Sequence, residues 1–284
     1  MYESFYKFSE RPFSLLPDPA FLYLSKKHRT ALTLLEYGLN TQAGFTVITG
    51  EIGCGKTILV RQVLNELAKN LTVGLISNTH SSFGEFMQWV LMAFGVDYRS
   101  KSKIELHETF VNFIIGEYAK NKRTVLVIDE AQNMSPAALE ELRMLSNINA
   151  DKDQVLQMVL VGQPELRATQ QQPGLEQFAQ RVLVHYHLDA LDTEETRLYI
   201  KHRLKTAGGD PELFDELARV AIWYHARGIP RLINTLCDLA LVYAYADERL
   251  CIDARIIYDV VKDQQAGGLK YQKNMLDTEV SLAQ

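Results

Sequence analysis

Between a short apolar run and an amphipathic one the chain reads Gly50-Glu51-Ile52-Gly53-Cys54-Gly55-Lys56-Thr57. The run before it, Phe45–Thr49, is apolar and β-branched, as a buried strand is. The run after it, Thr57–Lys69, carries Leu59, Val60, Val63, Leu64 and Leu67 at helical spacing. A turn of the form G-x-x-x-x-G-K-[ST] in that setting aims successive backbone N–H groups and the positive end of a helix at one point. A phosphate suits that point. Lys56 is then expected at the β- and γ-phosphates of ATP and Thr57 on Mg²⁺, with residues 50–57 forming the cradle. A glycine turn that binds nothing is the weaker reading, because lysine and threonine stand at the required offset.

The strand–helix alternation continues. A helix is expected over Lys26–Asn40, with Leu32, Leu35 and Leu39 on one face. Val73–Ser77 reads as a second strand, followed by helices over about Ser82–Phe94 and Ile104–Lys120. Thr124–Asp129 is a third strand, Val155–Val161 a fourth and Val182–His187 a fifth. Ser135-Pro136 opens a helix, with a capping hydroxyl and proline at the first position. Alternating β and α units predict a parallel five-stranded sheet with helices on both faces. After Leu191 only helices are expected, opened by Asp192 with Glu195 as a capping box, by Asp210-Pro211, by Pro230 and by Asp253. The expected organisation is an aromatic and proline-rich lead-in over 1–25, extended rather than helical, an α/β core over 26–190, a helical lid over 191–265 and a polar tail over 266–284.

Asp129-Glu130 ends the apolar third strand, where a Walker B pair belongs. Asp129 is expected to bind Mg²⁺ and Glu130 to polarise the attacking water. Gln163, after the fourth strand, would reach the γ-phosphate or the water if that strand inserts between the first and the third. Arg181 precedes the fifth strand and Arg231 opens a lid helix; Arg143 and Arg167 compete for the same kind of role.

Taken together these positions resemble the AAA+ ATPases, with Walker A, Walker B, a sensor residue, an arginine finger and a sensor-two arginine. More narrowly, the lead-in Phe5…Pro12-Phe13…Pro17-Asp18-Pro19…Phe21-Leu22-Tyr23, the helix beginning His28…Ala31-Leu32, and the loop 49–57 are similar to the ExeA family. So are Asp129-Glu130-Ala131-Gln132, Gly162-Gln163-Pro164-Glu165-Leu166, Gln180-Arg181 and Gly228-Ile229-Pro230-Arg231. That family comprises the general secretion pathway protein A ATPases and the related pilus protein MshM. The resemblance implies a P-loop AAA+ core with a helical lid, Mg-dependent ATP hydrolysis, Arg181 acting in trans, Arg231 acting in cis, and a ring or filament of copies of this chain. It also implies work on a secretion or type IV pilus-like envelope machine through an inner-membrane partner.

Thirty Lys+Arg against 35 Asp+Glu leave a net charge of −5, so no basic nucleic-acid coat is present. A transposition-regulator ATPase forming filaments on DNA is nonetheless a rival, with Lys26-Lys27-His28-Arg29, Lys101-Ser102-Lys103 and Lys120-Asn121-Lys122-Arg123 as candidate phosphate contacts. A non-hydrolysing ATP-binding scaffold is a third reading, disfavoured by Glu130. No run approaches the ~20 apolar residues of a bilayer span, no secretory leader is evident, and Cys54, Cys237 and Cys251 lack metal-ligand spacing. A cytoplasmic protein, peripheral at the membrane through a partner, is expected. Cys54 occupies a variable position of the loop and reads as a tolerated small residue, although a group added to it by alkylation would stand in the way of nucleotide. His185 and His187 share a strand face and are expected to pack rather than bind metal.

Overall fold

The computed structural model describes residues 1–16, 18–67, 70–77, 85–150 and 153–267. The chain divides into two compact units, one spanning Lys26–Asp189 and one gathering Met1–Ser25 with the chain from Ala190 onward.

The first unit runs α1 (Lys26–Asn40), β1 (Phe45–Gly50), α2 (Lys56–Leu67), β2 (Leu71–Ile76), α3 (Phe86–Ala93), α4 (Lys103–Ala119), β3 (Arg123–Ile128), a 3₁₀ turn (Ala131–Asn133) and α5 (Pro136–Leu145). A two-residue hairpin follows, β4 (Asn149–Ala150) with β5 (Asp153–Gln154), then β6 (Leu156–Gly162), α6 (Glu165–Gln170), α7 (Glu176–Ala179) and β7 (Val182–Leu188). The five long strands form one sheet in the order β2-β3-β6-β1-β7, every pairing parallel. β1 and β6 are buried at every position, and β3 at all but its first. Unbroken apolar runs follow from burial on both faces. The edge strands β2 and β7 alternate instead. Phe45, Val47, Leu126, Ile128, Met158 and Leu160 face one side, packed with residues of α3, α4 and α5. Val125, Val127, Val159 and Val161 face the other, against Leu35 and Leu39 of α1 and Val60 and Val63 of α2. The fourth and fifth strands of the sequence reading are β6 and β7.

Parts of the basic runs are engaged locally. Ser102 caps α4 in a capping box with Glu105, Lys120 pairs with Glu117 at 2.7 Å, and Arg123 donates to the Leu39 carbonyl at 2.7 Å.

The second unit holds α8 (Thr193–Thr206), α9 (Glu216–Ala226), α10 (Pro230–Ala246) and α11 (Ala254–Ala266). Asp192 and Glu195 form the expected capping box. The start of α9 differs from the sequence reading: Asp210 makes a turn, its side chain accepting from the Glu212 N–H at 2.8 Å, and Asp215 caps the helix instead. Phe214 forms a bridge with Ile252, and that extended pairing delays the helix. The lead-in belongs to this unit. Tyr2, Tyr6, Phe8, Phe13 and Phe21 are buried in one cluster with residues of α8–α11. It is not extended throughout, because Asp18 caps a single 3₁₀ turn, Pro19–Phe21, by accepting from the Ala20 N–H. The buried Arg203 fastens it, donating to the carbonyls of Pro12 at 2.6 Å and Ser14 at 3.2 Å, with its guanidinium 4.6 Å from the Phe21 ring centre.

Pro17, the expected helix start at Ser82, the expected helix end at Lys69 and the polar tail beyond Gly267 lie outside the described residues. Among the described residues no helix is long and apolar enough to cross a membrane.

Candidate nucleotide site

Because β1, β6 and β3 are parallel neighbours, their C-terminal ends open on the same edge of the sheet. Register places Thr49 beside Gly162 and Leu160 beside Ile128. The loop after β1, Gln163 after β6, and Asp129-Glu130 after β3 therefore meet, although up to 113 positions separate Gly50 from Gln163 in the chain.

Within the loop, Gly53 and Gly55 take φ of 84° and 96°, the left-handed region where a side chain would be strained. Lys56 is buried and its Nζ donates to the carbonyls of Gly50 at 2.8 Å and Glu51 at 2.9 Å. Burial holds its ammonium below the usual lysine value, while the nearby carboxylates of Glu130 and Asp129 pull the other way. Ile52 is exposed and Cys54 is buried, at 1% exposure. Burial pushes the Cys54 thiol up, so it is neither accessible nor readily ionised, and alkylation there is disfavoured in the folded chain. His28 of α1 braces the loop from behind, its Nε2 3.1 Å from the Cys54 carbonyl oxygen.

Thr57 Oγ1 donates to Asp129 Oδ2 at 2.8 Å. A hydroxyl and a carboxylate side by side are the hard oxygen donors a magnesium ion prefers, with water and phosphate oxygens completing its octahedron. Among the described residues no group of three or more His, Cys, Asp or Glu could hold a metal alone. The loop, Lys56 and this oxygen pair fit a nucleoside triphosphate with Mg²⁺.

Glu130 adopts φ 54°, ψ 37°, a left-handed conformation that costs a non-glycine residue about 1–2 kcal/mol. Its N–H donates to Asp129 Oδ1 at 2.9 Å. Glu130 Oε2 accepts from Gln163 Nε2 at 3.2 Å and from Gln132 Nε2 at 2.6 Å. The structure thus gathers residues 50–57, Asp129, Glu130 and Gln163 at one place.

Arg181 is elsewhere. Val182 pairs with Phe45 and Leu188 with Gly50, so Arg181 flanks the start of β1 while the loop 50–57 follows its end. Five residue steps along a strand span about 17 Å, farther than an arginine side chain reaches. Arg181 instead donates to the Arg143 carbonyl at 3.4 Å, to Ser146 Oγ, and to Asn147 Oδ1 at 2.6 Å. It lines a cavity of about 330 Å³ with Gly44, Ser146, Asn147, Asn149 and Gln154. Of its competitors, Arg143 is forked onto Glu140 and Arg167 is exposed in the last turn of α6. Arg231 is exposed in the first turn of α10, in the other unit. His187 Nδ1 lies 3.0 Å from Thr49 Oγ1 across the β1–β7 pair.

Gln132 and His28 also touch the site, and the sequence reading gave neither a part in nucleotide chemistry. Gln132 could have been noticed two positions after Glu130. His28 had no local signal, since only packing brings α1 under the loop.

An AAA domain model matches residues 39–170. General secretion pathway protein A of Aeromonas hydrophila is 38% identical over 247 residues, covering 87% of this chain and 45% of that protein. The chain therefore spans less than half the length of that relative. Among solved structures, the Aeropyrum pernix ORC2 protein, in its ADPNP-ADP complexes, aligns with a TM-score of 0.66 at 16% identity, covering 90% of this chain and 72% of that one. The Thermotoga maritima RuvB Holliday junction branch migration motor aligns at 0.51 with 18% identity, covering 89% and 72%. At such identities the likeness is one of fold: a parallel five-stranded α/β unit with a helical C-terminal region, the AAA+ architecture.

Proposed function

We propose that this chain, an ExeA-like AAA+ protein, binds ATP with Mg²⁺ and hydrolyses it to drive assembly of an envelope secretion machine. The observation that carries the reading is the pairing of Thr57 Oγ1 with Asp129 Oδ2 beside the buried Lys56. In it, the backbone N–H groups of residues 50–57 and Lys56 bind the phosphates. Thr57 and Asp129 would hold the metal, which would supply positive charge against the transferred phosphoryl group. Glu130 takes the proton of the attacking water as general base, and Gln163 orients that water.

Arg181, too far from its own loop, serves the loop of a neighbouring copy. An arginine finger supplied in trans stabilises the charge that develops on the γ-phosphoryl group. Arg231 serves as the sensor-two arginine of its own chain. A ring or filament follows from the trans finger. Secretion rather than pilus work is favoured by the relative, a general secretion pathway protein. Its partner would be an inner-membrane protein of that pathway, contacted from the cytoplasmic side.

The test is steady-state ATP turnover with Mg²⁺, with and without duplex DNA, at moderate and high salt, for the natural chain and Glu130→Gln. Turnover indifferent to DNA and nearly abolished by Glu130→Gln, with nucleotide still bound, is the expected result. Strong DNA stimulation that collapses with salt would replace the secretion reading by the DNA-filament one, because phosphate contacts release counterions. Nucleotide binding without turnover in the natural chain would leave a scaffold. Equal turnover in Glu130→Gln would remove Glu130 from the base role.

A further inference from the structure

One side chain ties the tip of β3 to the tip of β6. Gln132 Nε2 donates to Glu130 Oε2 at 2.6 Å, and Gln132 Oε1 accepts from the Gln163 backbone N–H at 3.0 Å. The amide can face only one way, because a backbone N–H needs the oxygen and a carboxylate needs the NH₂ group. Gln163 Nε2 closes the triangle at 3.2 Å on the same Glu130 oxygen. The fit is close: a Cβ at Gly162 would lie 3.1 Å from Gln132 Oε1 and 2.8 Å from Leu166 Cδ2.

We infer that Gln132 is a positioning residue for Glu130, locking the carboxylate to the end of the sensor strand. The inference rests on the base role proposed above for Glu130. A general base must hold its lone pair where the water arrives, and geometry is met before proton affinity counts. A carboxylate with one oxygen fixed by two amides has lost the rotation about its last bond that would spoil this. Because Gln132 grips the Gln163 main chain as well, a shift of the β6 tip moves Glu130 with it. The base and the water-orienting glutamine then act as one rigid group.

The test compares Gln132→Met, which keeps the length and apolar packing but removes both hydrogen bonds, with Gln132→Ala. Turnover should fall about 10–100-fold, less than the ~10²–10⁴-fold of a whole acid–base contribution, while affinity for a fluorescent ATP analogue stays within twofold. Independently of turnover, hydrogen exchange at the Gln163 amide should quicken about tenfold or more in Gln132→Met, since its acceptor is gone. Adding Gln132→Met to Glu130→Gln should slow turnover no further. Turnover of Gln132→Met within twofold of the natural chain, or an additive loss on top of Glu130→Gln, would overturn the inference while leaving the base role standing. A Glu130→Gln variant that turns over normally would bring down both.

Discussion

The two units use their polar groups in opposite ways. In the α/β unit, Lys56, Thr57, Asp129, Glu130, Gln132 and Gln163 gather where three strands end, and they bond one another and the loop carbonyls. In the helical unit the comparable groups are spent on internal joints. Arg203 grips the lead-in carbonyls, Tyr199 donates to Asn234 at 2.8 Å, Tyr2 donates to Asp238, and Trp223 Nε1 donates to the Leu191 carbonyl at 3.2 Å. Strand ends are exposed by geometry, since the sheet's cover of helices stops there, so polar side chains at that edge can meet a ligand. Helix faces turned to a core offer no such edge, and a polar group there must be satisfied from within. Substitutions in the first unit should therefore cost chemistry, and in the second, stability.

Arg181→Ala probes the first half of that contrast most strongly. Turnover should fall by about 10³-fold or more with nucleotide affinity unchanged. Mixing it with Lys56→Ala should restore part of the activity, because each copy then brings what the other lacks. Lost affinity with intact turnover per bound nucleotide, or no recovery on mixing, would sink the trans assignment. Lys56→Ala alone should weaken nucleotide binding by about 2–3 kcal/mol, the worth of a charge-assisted hydrogen bond, with an unchanged urea midpoint. Because Lys56 is itself buried on loop carbonyls, a large drop in that midpoint would show that the loop is a structural joint, and the contrast would blur.

In the helical unit, Arg203→Ala should cost about 2 kcal/mol, leaving the carbonyls of Pro12 and Ser14 without their donor. Urea denaturation followed by tryptophan fluorescence in a Trp89→Phe background, which leaves Trp223 as the reporter, would read it, with fluorescent-nucleotide affinity as the control. A loss of affinity without a loss of stability would reverse the expected division of labour. The smallest effect concerns thiols. Cys251 is exposed, whereas Cys54 and Cys237 are buried and burial pushes both of their thiols up. At pH 8 a raised thiol holds less thiolate, so iodoacetamide should label one site quickly without changing nucleotide affinity, and the other two only on unfolding. Mass spectrometry of the peptides decides it.

Much of the site was legible because it is built locally. Residues 50–57 are a strand–turn–helix whose chemistry lies within one short window, and Asp129-Glu130 is marked by the apolar run before it. Ser135, Asp192 and Asp253 announce helix starts for the same reason, as each caps a backbone group two or three residues on. Asp210 misled because a capping residue and a turn residue look alike in sequence. Only the Phe214–Ile252 bridge, 38 positions apart, distinguishes them.

What the sequence by itself determined is the glycine-rich loop 50–57, the acidic pair, and a parallel sheet followed by helices, since residue spacing alone encodes those. Tertiary structure decided the rest. It inserted β6 between β3 and β1, which brings Gln163 to Glu130 and lets Gln132 join them. It set Arg181 at the far end of β1, which makes a second copy necessary for the proposed finger, and it gave the lead-in to the helical unit. These are long-range pairings chosen by which apolar faces must be buried against each other. No window of the chain is long enough to contain both partners.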